Sequence, residues 1–439
     1  MKKSYTQTGA SSSGEKRNNP PCLCAYYPGG GAACAARKGV GMMQAFLKQH
    51  RWVILAAGAA IQVLTGVPAA WGVFQRGVCE GYSLSQENAA MIFSLTICFF
   101  GIGCILGGLL QDKKGPRTAG LAGAVLLSAG FCGAGFIPGE NPWFFYGVFS
   151  VPVGLGCAFL YPSVMSCAQK WYADRKGLAT GVIGGAVGAS GAVLTFLGRF
   201  LIGTWSIRTA FWVLGLLMLA VCGAGAAILE NPEQPPRETA KQKRGGGPAP
   251  KRPRDYSVKE MLKTNQYWLM FAVVGLATPA VLLFSPIIVE LAQERGLSQT
   301  AALACIVVGS VFSAAGRLLM PWLSDKIGRR YTDMLLLAAL CGFSVWFIYA
   351  GSWWVILVYS LLTFCYSGEA AVIPAAGTDL FGQINYGFLA LGMSVGSVGF
   401  PLLARCFEGE AVRHFIAIAA TAAGFVCLWF LKPTQGERL

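Results

Sequence analysis

Apolar residues run along this chain in long, almost unbroken blocks, neither alternating as in half-buried strands nor confined to one stripe as in soluble surface helices. In the first half the blocks cover residues 51–73, 88–111, 118–137, 142–168, 177–203 and 207–229. A second set covers 267–290, 300–323, 332–350, 353–378, 386–404 and 412–431. At about 1.5 Å per helical residue, each crosses most or all of a hydrocarbon layer about 30 Å thick. Lipid offers no partner to an unpaired backbone group, so such runs must be helices; a barrel would show short alternating segments instead. The pattern predicts an all-α polytopic membrane protein of twelve transmembrane helices in two six-helix bundles.

The polar stretches set the organisation. Between the sixth and seventh blocks lies ENPEQPPRETAKQKRGGGPAPKRPRDYSVKEML, whose Pro, Gly and basic content marks a solvated linker that can also touch anionic lipid. The expected parts are a basic tail (1–49), a first bundle (50–230), a linker loop (231–264), a second bundle (265–432) and a short tail (433–439). The first tail is rich in Gly, Ser, Ala and Pro. It is expected to be disordered, and it lacks the apolar core of a cleaved signal peptide.

Composition agrees with the pattern. Only 13% of the 439 residues are charged, against about 25% in a soluble domain, and mean hydropathy is +0.53. The net charge of +15 matters through its placement. With the N-terminus inside, Lys113, Lys114, Arg117, Lys170, Arg175, Lys176, Lys326, Arg329 and Arg330 all fall on the inner side with the tails and linker. The other side holds only Arg76, Arg295, Arg405 and Arg413, with Arg199 and Arg208 flanking a short turn there. This bias predicts a multi-pass protein of the cell membrane, plasma or bacterial inner, with both termini cytoplasmic. Nucleic acid is excluded as a partner because no basic folded module exists to bind it.

Most of the fifteen cysteines, such as Cys98, Cys157, Cys222 and Cys305, lie within the spans and read as small apolar residues. Cys22, Cys24 and Cys34 lack the spacing of a zinc site, and the chain's histidines are His50 and His414 alone. No metal or other cofactor is expected. The stretches GIGCILGG and GGAVGASG lie inside apolar spans and follow no strand, so they read as close helix contacts rather than dinucleotide loops. No Walker loop or nucleophile–base constellation is present, which argues against ATP coupling and against an enzyme.

An internal repeat follows the second and eighth blocks. GGLLQDKKGPR and MPWLSDKIGRR align Asp112 with Asp325, Gly115 with Gly328 and Arg117 with Arg330, each pair 213 residues apart. Two loops in register point to a duplicated transporter. A glycine ends each helix, and Asp with basic residues, Arg329 included, can pair with neighbouring helices and break in another conformation. Simple anchoring by positive charge would need neither the Asp nor the Gly.

These paired loops resemble the signature loop of the major facilitator superfamily. AAWGVFQRG, IFSLTICFFGIGCILGGLLQDKKGPR and GLGCAFLYPSVMSCAQKWYADRKGLATGVIGGAVGASG resemble the oxalate:formate antiporter family within it, and the run from Lys170 to Gly181 is also similar to monocarboxylate porters. The resemblance covers about residues 50–432. It implies alternating-access transport of a small carboxylate, with Arg317 at the place of the eighth-helix arginine that binds the substrate carboxylate and Tyr161 at that of a tyrosine facing substrate. Oxalate exchangers carry a second cation, a lysine, in the eleventh helix, whereas NYGFLALGMSVGSVGFPLLAR has none before Arg405. Ala69 stands where family members often have a tyrosine.

Ionisable residues at membrane depth are costly and are kept mainly for function. Arg317 stands eight positions before Asp325, roughly 12 Å inside the apolar run, and Glu369 ten before Asp379, roughly 15 Å inside. A guanidinium stays charged and fits a carboxylate bidentately. The competing reading is a structural Arg317–Glu369 ion pair. Glu369 reads equally as a proton carrier or as a packing residue satisfied by Tyr366 or Ser367. Gln62 is a further candidate that also fits a helix–helix bond, and Trp71 fits an aromatic belt as well as a binding role. A dianion held by one arginine would leave a carboxylate unpaired, so a monocarboxylate such as lactate, pyruvate or formate is favoured. The expectation is a monomeric secondary transporter with a small carboxylate, protons and the lipid bilayer as partners. The alternatives are an oxalate:formate-type dicarboxylate antiporter and a non-transporting carboxylate sensor.

Overall fold

Local capping signals start many of the helices. Ser85, Asn141, Ser206, Thr264 and Ser298 each accept a hydrogen bond from a backbone N–H two or three residues on, satisfying a donor that the first turn leaves free. The computed structural model describes residues 47–139, 141–172, 175–232, 256–381, 386–407 and 409–431. The expected tails over 1–46 and from 432 onward, the linker over 233–255, and Ala173 and Asp174 lie outside the described residues.

Eleven helices among the described residues are long and apolar enough to cross a membrane. They are α1 (Trp52–Tyr82), α2 (Gln86–Lys114), α3 (Pro116–Phe136), α4 (Pro142–Trp171), α5 (Leu178–Thr204) and α6 (Ile207–Ile228), then α7 (Asn265–Leu282), α8 (Gln299–Ile327), α9 (Arg329–Tyr349) and α10 (Trp353–Phe381). A shorter apolar helix, α11 (Ala390–Cys406), precedes the last of the eleven, α12 (Glu410–Phe430), and completes the predicted order of twelve.

Three boundaries differ from the apolar pattern. α1 continues past residue 73 to Tyr82, because Phe74, Gln75, Val78 and Tyr82 are buried on one face while Arg76 and Glu80 pair on the other at 2.8 Å. The seventh block is interrupted: Pro286 cannot donate to the carbonyl four residues back, the chain turns over 283–287, and a short helix (Ile288–Glu294) follows. The eleventh begins as a 3₁₀ turn (Tyr386–Leu389) before α11. The end of the expected linker is folded too, with a Ser257–Glu260 capping box opening a one-turn helix.

Across the two sets of six, α5 packs on α8 and α2 on α11. Small residues make this possible. A Cβ on Gly188 would lie 2.3 Å from the Cα of Ala314, and one on Gly101 would lie 2.5 Å from the carbonyl oxygen of Ala390. Ser394 of α11 donates to the Cys98 carbonyl of α2 at 2.8 Å, adding a polar tie across the same contact.

Candidate functional site

α8 and α10 pack along each other, and each carries an internal proline, Pro321 and Pro374. Proline has no N–H, so the carbonyls of Arg317 and Ala370, four residues back, lose their helical partner. Polar backbone is thereby freed beside Arg317 and Glu369. Non-helical polarity at this depth is tolerated where it faces protein or a cavity.

A cavity of about 270 Å³ lies here, walled by α1, α2, α4, α5, α7, α8, α10 and α11. That is slightly below the roughly 300–1,000 Å³ of sites for drug-sized ligands. Its wall brings together Gln62 and Tyr161 from the first half with Arg317, Tyr366 and Glu369 from the second. Among the described residues, Arg317 is the only lysine, arginine or histidine on the wall. Its Nε is buried and has no hydrogen-bond partner.

Glu369 is 2% exposed, and its Oε1 is also without a partner. The two residues do not form the ion pair that the sequence allowed. Tyr366 feels the charge of both, and Tyr161 that of Arg317. Tyr161 packs at a tilt on Phe100, with ring centroids 6.2 Å apart. Gln62 is fully buried; its Oε1 accepts from the Thr65 hydroxyl at 2.8 Å, leaving Nε2 free.

Several other polar groups on the wall are already engaged. Ser310 donates to the Ile306 carbonyl at 2.7 Å, Thr363 to that of Ser360 at 2.8 Å, and Ser313 and Ser367 bond each other at 2.6 Å. The donors left over, Arg317 Nε and Gln62 Nε2, would suit an anion in apolar surroundings, where a charged hydrogen bond is strongest. Trp71 is not on this wall. It is 2% exposed, donates to the Ala89 carbonyl at 3.1 Å and packs against Phe149, so it faces neither cavity nor lipid.

The two repeated loops end their helices alike. Gly115 and Gly328 have φ of 86° and 96°, and their N–H groups bond the carbonyls of Gln111 and Ser324 at 2.8 and 3.0 Å. Few residues other than glycine adopt that backbone. Beyond the glycines the copies diverge. Arg329 pairs with Asp325 at 2.6 Å and with Asp379 at the end of α10 at 3.3 Å, clamping α8, α9 and α10 of one half together. Arg330 donates to the carbonyls of Leu428 and Trp429 at the end of α12, at 3.1 and 2.6 Å. In the first copy the place of Arg329 is taken by Pro116, and Asp112 and Arg117 are exposed without an ion pair among the described residues.

A sequence profile of the Major Facilitator Superfamily matches residues 41–404. The chain belongs to this superfamily. Among its relatives, the oxalate:formate antiporter of Oxalobacter formigenes is 23% identical over 401 residues, covering 88% of this chain and 93% of that protein. Monocarboxylate transporter 11 of Homo sapiens is 26% identical over 301 residues, covering 68% and 61% respectively. The structure of the proton:xylose symporter XylE bound to 6-bromo-6-deoxy-D-glucose superimposes with a TM-score of 0.62 at 15% identity, over 88% of this chain and 97% of that one, which shows the shared fold. As a superfamily member the protein is a multi-pass secondary transporter and not an enzyme.

Some wall residues of this facilitator escaped the sequence reading although a signal was present. Ser310 and Ser313 precede Arg317 at three- and four-residue steps, and Tyr359 and Thr363 precede Tyr366 likewise, each set drawing one polar stripe down a helix. Asp333 gave no such signal. It stands at the polar edge of its block, yet it is 1% exposed with Oδ1 unpartnered.

Proposed function

We propose that this protein carries a small monocarboxylate of the lactate, pyruvate or formate class by alternating access, with Arg317 taking the carboxylate and Tyr161 adding a hydrogen bond. The observation that carries the reading is the unpartnered Arg317 Nε, belonging to the sole cation on the cavity wall among the described residues. A guanidinium without a protein carboxylate partner keeps donor capacity for a ligand carboxylate, and Tyr161 stands within hydrogen-bonding reach of the same side chain. The small cavity volume and the names of the relatives support the same class.

Oxalate fits less well. The wall residues from the α11 region are Leu389, Ala390 and Met393, none of them a cation. A dianion would keep one carboxylate unpaired in low dielectric, which is costly. The basic residues at the ends of α2, α4 and α8 support an orientation with both termini cytoplasmic in a cell membrane.

Transport is driven by a proton gradient or by exchange for a second anion, and acidification of the vesicle lumen during uptake separates the two. The test of the site is Arg317→Gln in vesicles with labelled lactate, formate and oxalate. Loss of lactate and formate uptake is expected; undiminished uptake at equal protein level refutes the assignment. Counterflow of unlabelled substrate distinguishes a carrier from a receptor, which gives none.

A further inference from the structure

A second buried carboxyl lies behind the cavity. Asp333 follows Arg329 by one turn of α9, is 1% exposed, and has Oδ1 without a hydrogen-bond partner. Glu369, on the cavity wall, is 2% exposed with Oε1 in the same state. α9 packs on α10, and the charge of Asp333 is the one that reaches Glu369, while that of Arg329 reaches Asp333. Among the described residues neither carboxyl has an ion-pair partner. The Arg329 guanidinium is engaged by Asp325 and Asp379, and Arg317 stays clear of Glu369.

Two carboxylates in one low-dielectric space without a paired cation cannot both stay ionised, so such a pair retains a proton. The charged and titratable groups around it are Tyr366 on α10, Arg317 on α8 and Arg329 on α9, with the half-exposed Asp325 and Asp379 beyond. α12, which also packs on α9, places Glu410 and His414 at the opposite end, bound to Arg295. Glu369 meets the cavity, Asp333 lies behind it about 6 Å along α9 from Arg329, and Asp379 lies at the helix end about 15 Å along α10 from Glu369.

We propose that Asp333 and Glu369 form a proton-holding pair, with Asp333 relaying the proton between the cavity and the Arg329 clamp. In the relay step the Glu369 carboxylic acid gives its proton, through intervening water, to the Asp333 carboxylate, leaving Glu369 ionised and Asp333 neutral. Asp333 then releases the proton to water when the clamp parts. The inference rests on the transport reading above but not on the substrate being a monocarboxylate.

Infrared spectroscopy of the full-length purified protein tests the pair without any substrate. Wild type at neutral pH is expected to show the carbonyl stretch of a protonated carboxyl, lost in Glu369→Gln and shifted in Asp333→Asn. In vesicles given labelled lactate or formate, Asp333→Asn should lower substrate-linked proton movement by about tenfold or more while counterflow persists, and Asp333→Glu should restore it. The proposal is overturned if wild type lacks the band, if Asp333→Asn leaves proton movement unchanged, or if both Asp333 variants lose counterflow together with proton movement. If Arg317→Gln transports normally while the band and its shifts are present, the substrate reading falls and the proton pair stands.

Discussion

Gly188→Ala is the sharpest probe of how the two halves meet. A Cβ at this position of α5 would lie 2.3 Å from the Cα of Ala314 and 2.4 Å from its backbone N, where ordinary contact begins near 3.4 Å. The shortfall is about 1 Å against main chain, which cannot rotate aside, so α5 and α8 must part or tilt by about that much. Overpacking of this kind costs about 1–3 kcal/mol, offset by about 1 kcal/mol of helix propensity that alanine gains over glycine. The steric cost falls only on conformations that hold α5 against α8. A bias of 1–3 kcal/mol shifts such an equilibrium by about 5- to 150-fold toward the parted state. Gly203→Ala is the control, because it lies on the same helix and its Cβ would meet nothing within 4 Å. The assay is the distance distribution between spin probes at the exposed Val193 of α5 and Val311 of α8, with exchange rate measured in parallel. Gly188→Ala should populate longer distances and slow exchange, while Gly203→Ala should match the parent. Identical behaviour of the two variants would refute the claim that this glycine contact sets the balance of states.

Other outcomes follow from the site and the loops. Arg317→Lys keeps the charge but loses the planar fork, so carboxylate affinity should fall about tenfold where Arg317→Gln abolishes binding, read by uptake at varied substrate. Gly115→Ala and Gly328→Ala each force a side chain into a positive-φ backbone and should each cost about 1–2 kcal/mol, so their melting temperatures should drop by similar amounts. Asp379→Asn removes a half-exposed partner of Arg329, and its stability cost should stay below about 1 kcal/mol and shrink further in high salt.

The twelve helices were legible because the membrane imposes one rule on every span, a continuous apolar run, and that rule is written locally. Where local polarity and burial disagree, the sequence misleads. Arg76 and Glu80 read as the end of the first span, although the other face of the same turns, Phe74 and Val78, stays buried and the helix continues. Arg317, Gln62, Tyr366 and Glu369 stood out because a polar group at membrane depth is rare, Tyr161 also through the resemblance, and all five line one cavity. Trp71 was misleading for the converse reason: its indole N–H is satisfied by a carbonyl eighteen residues away, a contact that no local pattern announces. Asp333 sits at the edge of an apolar block, where carboxylates are ordinarily solvated, and the packing of α9 against its neighbouring helices buries it.

The place held by Pro116 in one loop and by Arg329 in its copy makes the two halves mechanically unlike. On the second side, Arg329 ties the ends of α8, α9 and α10 together. On the first side, Pro116 starts α3 without such a tie, and α2 and α3 meet at a bare glycine joint. The two copies of one loop thus differ in what holds them: an ion-paired joint that salt can loosen in the second half, and a backbone joint that salt leaves alone in the first.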